Sequence, residues 1–241
     1  MAIFLDTSNM EEIRKYHALG IIRGVTTNPT ILLKEGLAGG LEEIKERAVA
    51  IARLIHPAPV SVGVITNDRD EMLAQAQEIS SWAPNIIVKL TIHGPEGELD
   101  NLEIIHQCET VHDIRVNVTA MMSAQQCFLA AMAGASYVSI LCGRVNNMGY
   151  NAVEELRRLR RLLDSNQLKA QIIAASTREV LNVIEWLDAG AHIVTVVPQL
   201  INGMIVHPYS KETVQMFLND AAQAVQAADS LIVKRGQFKR V

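Results

Sequence analysis

Aromatic side chains are scarce in this sequence. They make up 4% of 241 residues, with four phenylalanines, four tyrosines and two tryptophans. The interior must therefore be built mainly from Val, Ile, Leu, Ala and Met, which supply most of the 49% hydrophobic content. Cysteine is scarce too. Cys108, Cys127 and Cys142 form no even set and have no metal-ligand spacing, which disfavours a disulfide framework or a zinc site and suggests reduced thiols in a cytoplasmic protein. No apolar run is long enough to span a membrane, and the opening Met-Ala-Ile-Phe-Leu-Asp lacks the basic region and long apolar stretch of a signal peptide. A net charge of −4 gives no electrostatic case for nucleic-acid binding. Lys234, Arg235, Lys239 and Arg240 form a small basic end, of the kind that is usually just solvated.

What the chain does have is a repeated alternation. Short apolar, β-branched runs read as strands at Ile3–Leu5, Gly24–Thr26, Val60–Val64, Ile86–Leu90, Arg115–Thr119, Tyr137–Leu141, Gln171–Ala174 and Ile193–Val197. Between them, Met10–Leu19, Leu41–Leu54, Glu71–Trp82, Leu99–Thr110, Ala124–Ala133, Ala152–Asp164 and Glu179–Ala189 have helical period. Ser8 with Glu11 reads as a capping box for the first helix. Asn28-Pro29 reads as a cap and first-turn proline before Thr30–Lys34, with Gly36 as the stop. Eight strands alternating with helices predict an α/β fold, a single (β/α)8 TIM barrel spanning residues 1–241. An open doubly wound sheet is the runner-up, but no Gly-x-Gly-x-x-Gly turn follows the first strand. Lys211–Val233 adds an amphipathic helix beyond the barrel, suited to cover the barrel itself or a neighbouring subunit.

One residue conflicts with its surroundings. Lys89 sits in Asn85-Ile86-Ile87-Val88-Lys89-Leu90, an apolar run that reads as a buried strand. A desolvated lysine loses its proton readily and becomes a nucleophilic amine, the group that forms a Schiff base with a carbonyl. Taken alone, a strand-end lysine that extends its head to water is the simpler reading. In a parallel barrel, however, side chains at the C-terminal strand ends converge. Those ends carry Asp6, Thr26, Thr27, Asn28, Lys89 and Thr119, followed by Arg144, Ser176 and Arg178. An amine, a carboxylate and several hydroxyls suit imine chemistry, and two guanidiniums with a hydroxyl suit a phosphate. Each has an ordinary role as well. Asp6 and Asn28 would cap helices, Thr119 would favour a strand, and the arginines would make surface ion pairs. Their joint placement around Lys89 favours function.

Phe4-Leu5-Asp6-Thr7-Ser8, Gly24-Val25-Thr26-Thr27-Asn28-Pro29, Ile87-Val88-Lys89 and Ala174-Ala175-Ser176 resemble the transaldolase family, in order and spacing along nearly the whole chain. The length and the last helix are similar to its small branch, which includes fructose-6-phosphate aldolase. The resemblance implies a class I aldolase barrel that transfers or cleaves a dihydroxyacetone unit through a lysine Schiff base, within carbohydrate metabolism of the pentose-phosphate kind. Lys89 would be the nucleophile, Asp6 the acid/base, and Thr119 a holder of the catalytic water. Asn28 would bind a donor hydroxyl, with Ser176 also lining the donor site, Thr27 would be a further substrate-binding residue, and Arg144, Ser176 and Arg178 would bind the acceptor's phosphate. No metal or organic cofactor is implied, and the partners are sugar phosphates and other copies of the chain, often arranged as a ring through the last helix.

Four positions depart from the family pattern. Gly63 replaces the usual Glu or Gln that positions water, and Leu141 replaces a Tyr or Phe. Thr91-Ile92-His93 follows Lys89 where Pro-x-Thr is usual, and Arg144-Val145-Asn146 stands for Arg-Ile-Asp. An enlarged pocket at Gly63 and Leu141 would admit other donors or acceptors. His93 either supplies the missing water-orienting group or caps the next loop. The expected function is therefore transaldolase-type transfer to an aldose phosphate. The alternatives are fructose-6-phosphate aldolase-type cleavage, a catalytically lapsed sugar-phosphate-binding barrel, and a deoxyribose-phosphate type of aldolase, which the order of Asp6 and Lys89 disfavours.

Overall fold

All eight expected strands form, and they close on one another in sequence order. The computed structural model describes residues 2–37 and 40–237; Lys239 and Arg240 of the basic end lie outside the described residues. The strands are β1 (Ala2–Asp6), β2 (Ile22–Thr26), β3 (Val60–Gly63), β4 (Ile86–Thr91), β5 (Val116–Met121), β6 (Tyr137–Ile140), β7 (Gln171–Ala174) and β8 (Ile193–Val196). Each pairs in parallel with the next, and β8 returns to β1, so the sheet is a closed (β/α)8 barrel. Closure removes both sheet edges, and parallel pairing requires a crossover helix between strands. Those helices are α1 (Met10–Ala18), α2 (Pro29–Lys34), α3 (Leu41–Ile55), α4 (Arg69–Ser81), α5 (Asp100–Thr110), α6 (Ala124–Met132), α7 (Cys142–Asn147), α8 (Ala152–Ser165) and α9 (Val180–Asp188).

The chain divides into two compact units, residues 1–200 and 201–241. α10 (Pro198–Ile205) crosses that boundary, and α11 (Pro208–Gln237) makes up most of the second unit. α11 is longer at both ends than the hydrophobic period predicts. Pro208 opens it, as expected where the first-turn N–H has no intrahelical partner. Val214, Phe217, Leu218 and Val225 on it are exposed. No helix among the described residues is long and apolar enough to cross a membrane.

Two sequence expectations need correction. Asn9, not Ser8, caps α1: its side chain accepts from the backbone N–H of Glu11 at 2.9 Å and of Glu12 at 3.2 Å. Ser8 is fully buried and donates instead to Glu35, so no capping box with Glu11 forms. α7 and α10 were also not expected. α7 is six residues long and its N-cap, Leu141, has no side-chain cap, so it carries neither a period nor a start signal.

The barrel interior is layered. At the N-terminal end, Phe4, Ile173 and Ile193 pack together with half-buried Tyr137 against them. Gly24 makes room for this plug, because a Cβ there would fall 2.6 Å from the Phe4 ring. Nearer the C-terminal end the interior turns polar. Asn117 donates to Ser61 Oγ at 3.0 Å and accepts from Ser139 Oγ at 2.6 Å, a strip spanning β3, β5 and β6. All three residues are buried, so these bonds remove what would otherwise be costly unsatisfied groups.

Gly24→Ala forces the Phe4 ring to move and is expected to destabilise the protein by about 1–3 kcal/mol, the usual cost of overpacking. Adding Phe4→Leu should recover part of that loss. Denaturant midpoints of the two variants check this, and a neutral Gly24→Ala would contradict the packing described.

Candidate active site

Lys89 points into the barrel at the C-terminal end of β4, between Val88 and Leu90, whose side chains are fully buried on the other face. Its Nζ donates to the Thr27 carbonyl at 3.1 Å. Asp6 ends β1 and is held by a short relay: Thr26 Oγ1 donates to Asp6 Oδ1 at 2.6 Å, and Thr26 Oγ1 also hydrogen-bonds Thr195 Oγ1 on β8. Since Thr26 spends its proton on an ionised Asp6, Thr195 is then the donor to Thr26.

The two charged groups act on each other, and burial acts on both. Desolvation pushes the Lys89 ammonium below the usual lysine range, with the Asp6 charge opposing it. Desolvation pushes Asp6 above the usual carboxylate range, opposed by Lys89 and by the Thr26 hydrogen bond and reinforced by the charge of Glu35. Both groups are thus moved toward their neutral forms. An amine that sheds its proton near a carboxyl able to carry one is equipped for nucleophilic attack and proton transfer at a carbonyl.

The neighbouring strands complete this side of the mouth. Thr27 is buried and donates its hydroxyl to the Ser61 carbonyl at 2.8 Å, so its carbonyl rather than its side chain meets Lys89. Asn28 takes its ordinary capping role, Oδ1 accepting from Ile31 N at 2.9 Å, which leaves its –NH2 as the group able to donate elsewhere. Thr119 is half-buried on β5 and is followed by Ala120 at φ 61°, where the β5–β6 register shifts. Such a bulge re-aims the strand end.

Gly63 lies directly across from Lys89 in the β3–β4 register. A Cβ there would meet only Pro29 Cδ at 3.7 Å and the Lys89 carbonyl at 3.9 Å, ordinary contacts, so the backbone does not require glycine. His93 is exposed and its Nδ1 is engaged with the Gly94 carbonyl at 2.7 Å. Of its two expected roles, this geometry favours the loop-capping one.

A second cluster forms on the β6–β7 side. Leu141 is half-buried at the start of α7, and Gly143 and Arg144 follow in its first turn. A Cβ on Gly143 would fall 1.8 Å from the Ser176 carbonyl oxygen, so the two backbones touch. Ser176 itself sits at φ 64°, an uncommon conformation for a residue with a side chain. This contact brings Arg144 to the loop that carries Ser176 and Arg178. Both arginines are exposed, and among the described residues neither forms an ion pair.

The transaldolase/fructose-6-phosphate aldolase family model matches residues 3–237. The chain belongs to that family. A "probable transaldolase" of Carboxydothermus hydrogenoformans is 38% identical over 220 residues, covering 91% of this chain and 97% of the relative. A "probable transaldolase 2" of Listeria monocytogenes is 37% identical, covering 91% and 95%. Among solved structures, the barrel resembles a thiamine phosphate pyrophosphorylase from Pyrococcus furiosus at TM-score 0.56, with 15% identity over 81% of this chain and 85% of that one. That last likeness concerns the fold alone.

Within this transaldolase-family barrel, several polar residues at the site escaped the sequence reading. Thr195 looks like a β-former in Ile-Val-Thr-Val, and Glu35 looks like an exposed charge at a helix end. Asn117 was detectable, since Val-Asn-Val places an amide inside an apolar strand just as Val-Lys-Leu places the lysine.

The two glycines at the mouth should behave oppositely. Gly63→Ala is expected to be neutral or to stabilise by up to about 1 kcal/mol through lost unfolded-state freedom. Gly143→Ala must separate two backbones and should cost at least about 1–3 kcal/mol. Thermal or urea unfolding of both variants distinguishes them; equal effects would refute the contrast.

Proposed function

We propose that this enzyme performs class I aldol chemistry on phosphorylated sugars, transferring a dihydroxyacetone unit to an aldose-phosphate acceptor. The observation that carries this reading is the half-buried Lys89 amine, held on the Thr27 carbonyl opposite Asp6, each of the two pushed toward neutrality at the barrel mouth. The neutral amine attacks the ketone of the donor, and loss of water leaves an imine. Asp6 takes the proton of the hydroxyl two carbons from the imine carbon, the adjacent carbon–carbon bond breaks, and the electrons collect on the imine nitrogen as an enamine. An aldehyde departs. The enamine then adds to an acceptor aldehyde, Asp6 returns the proton, and water releases the ketose.

No cofactor is required in this scheme because the imine is the electron sink. The Asn28 –NH2 binds a donor hydroxyl, Thr119 holds the attacking water, and Thr27 shapes the donor side through its carbonyl. Arg144, Ser176 and Arg178 grip the acceptor's phosphate, for which unpaired guanidiniums are suited. Gly63 and Leu141 leave space beside the imine, and the lack of a phenol at Leu141 favours transfer over simple cleavage. Three free, buried cysteines support a cytoplasmic setting, and exposed apolar residues of α11 support a homo-oligomer.

Incubation with fructose 6-phosphate or dihydroxyacetone followed by borohydride should leave a mass adduct on Lys89. Lys89→Met should abolish adduct and turnover while retaining affinity for a sugar phosphate. Asp6→Asn should still trap donor but lower kcat by about 10²–10⁴-fold. A folded wild-type protein that forms no adduct with any keto-sugar donor would sink the reading in favour of a binding barrel.

A further inference from the structure

Directly after Asp6, the chain is gripped by a carboxylate from a different element. Glu35, at the C-cap of α2, accepts from Thr7 Oγ1 at 2.7 Å, Ser8 Oγ at 2.6 Å and Ser8 N at 3.4 Å. Thr7 is 4% exposed and Ser8 0%, so these are buried hydroxyls committed to one acceptor. On the other side of the same turn, Arg47 Nη1 from α3 donates to the Ser8 carbonyl at 2.8 Å. The turn between β1 and α1 is therefore pinned from α2 and α3. Ser8 is available for this because Asn9 has taken the cap of α1.

We propose that Glu35 is a positioning residue for Asp6: its carboxylate fixes the turn that carries the Asp6 carboxyl and sets a like charge near it. The proposal rests on the reading of Asp6 as the acid/base. Three elements face Asp6: Lys89 from β4 with opposite charge, Thr26 from β2 with a hydrogen bond, and Glu35 with like charge. Arg47 is the cation on the same turn, and it is bound to a carbonyl. Glu35 and Lys89 thus act on Asp6 in opposite directions. Lys89 favours the carboxylate that abstracts a proton, and Glu35 favours the acid that returns it. An acid/base that must serve in both directions works best with its pKa near the operating pH.

Glu35→Gln keeps the size and one acceptor oxygen but removes the charge. With the full chain and a ketose phosphate donor, kcat/KM measured against pH should have its acidic limb moved to lower pH, because Asp6 ionises more easily without a like charge nearby. kcat should fall, by up to about 10²-fold where the turn loosens, while borohydride still traps donor on Lys89. Ser8→Ala removes one hydroxyl and leaves the charge, so it should lower kcat without moving the limb. Carboxyl-carbon NMR titration of Asp6 in wild type and Glu35→Gln reads the same shift without any turnover. An Asp6 titration that coincides in the two proteins overturns the electrostatic half of the proposal, and unchanged kcat in Ser8→Ala overturns the positioning half. Absence of a Lys89 adduct in wild type overturns the Schiff-base reading instead, and leaves the NMR comparison to decide on Glu35.

Discussion

Everything at the mouth of this barrel depends on the return of β8 to β1. That pairing closes the sheet, sets Phe4 beside Thr195 and Leu5 beside Val196, and lets a β8 hydroxyl reach the relay that holds Asp6. Without closure, β1 and β8 would be opposite edges of an open sheet and Asp6 would have only its β2 neighbour. The closed ring also fixes Lys89 across the interior from Asp6, because every strand contributes alternate residues inward. Opposite charges at this depth are expensive to bury, and their attraction alone does not guarantee a net gain. Hydrogen bonds to Thr26 and the Thr27 carbonyl share the cost.

The polar residues inside the barrel fall into two kinds. Ser61, Asn117 and Ser139 satisfy one another and form a closed strip below the mouth. Lys89 and Asp6 are instead held by the Thr27 carbonyl and the Thr26 hydroxyl in surroundings that disfavour both charges. The loops follow the same division. Gly143 and Ser176 meet backbone to backbone, which sets where α7 begins, while the arginines they bring together remain without ion-pair partners among the described residues. Scaffold and chemistry are thus assigned to different atoms of the same short segments.

Much of this was legible in the sequence, for reasons that can be named. Strand positions followed from short β-branched runs, and Gln171–Ala174 forms with the predicted bounds. Lys89 and Asp6 were visible because a charge in or at the end of an apolar strand conflicts with its context. Where residues matched their context, sequence reasoning failed. Thr195 in a strand and Glu35 at a helix end fit their local settings, and only tertiary packing gives them a second role. The cap of α1 was misplaced by one residue for a related reason. Ser8 and Asn9 are both good cap residues, and the choice between them is made by Glu35, 27 residues from Ser8. α7 escaped because six residues are too few to display a period.

A last consequence follows from the Phe4 ring seated over Gly24. With Ile173 and Ile193 it stoppers one end of the ring of strands, so the interior is a cup rather than a pipe. Water reaches the bottom of a pipe from both sides, but it meets the contents of a cup only at the rim. Burial is also what lowers the basicity of Lys89, against the opposing charge of Asp6. A hydrocarbon ring on β1, two residues short of Asp6, is therefore the floor of that cup.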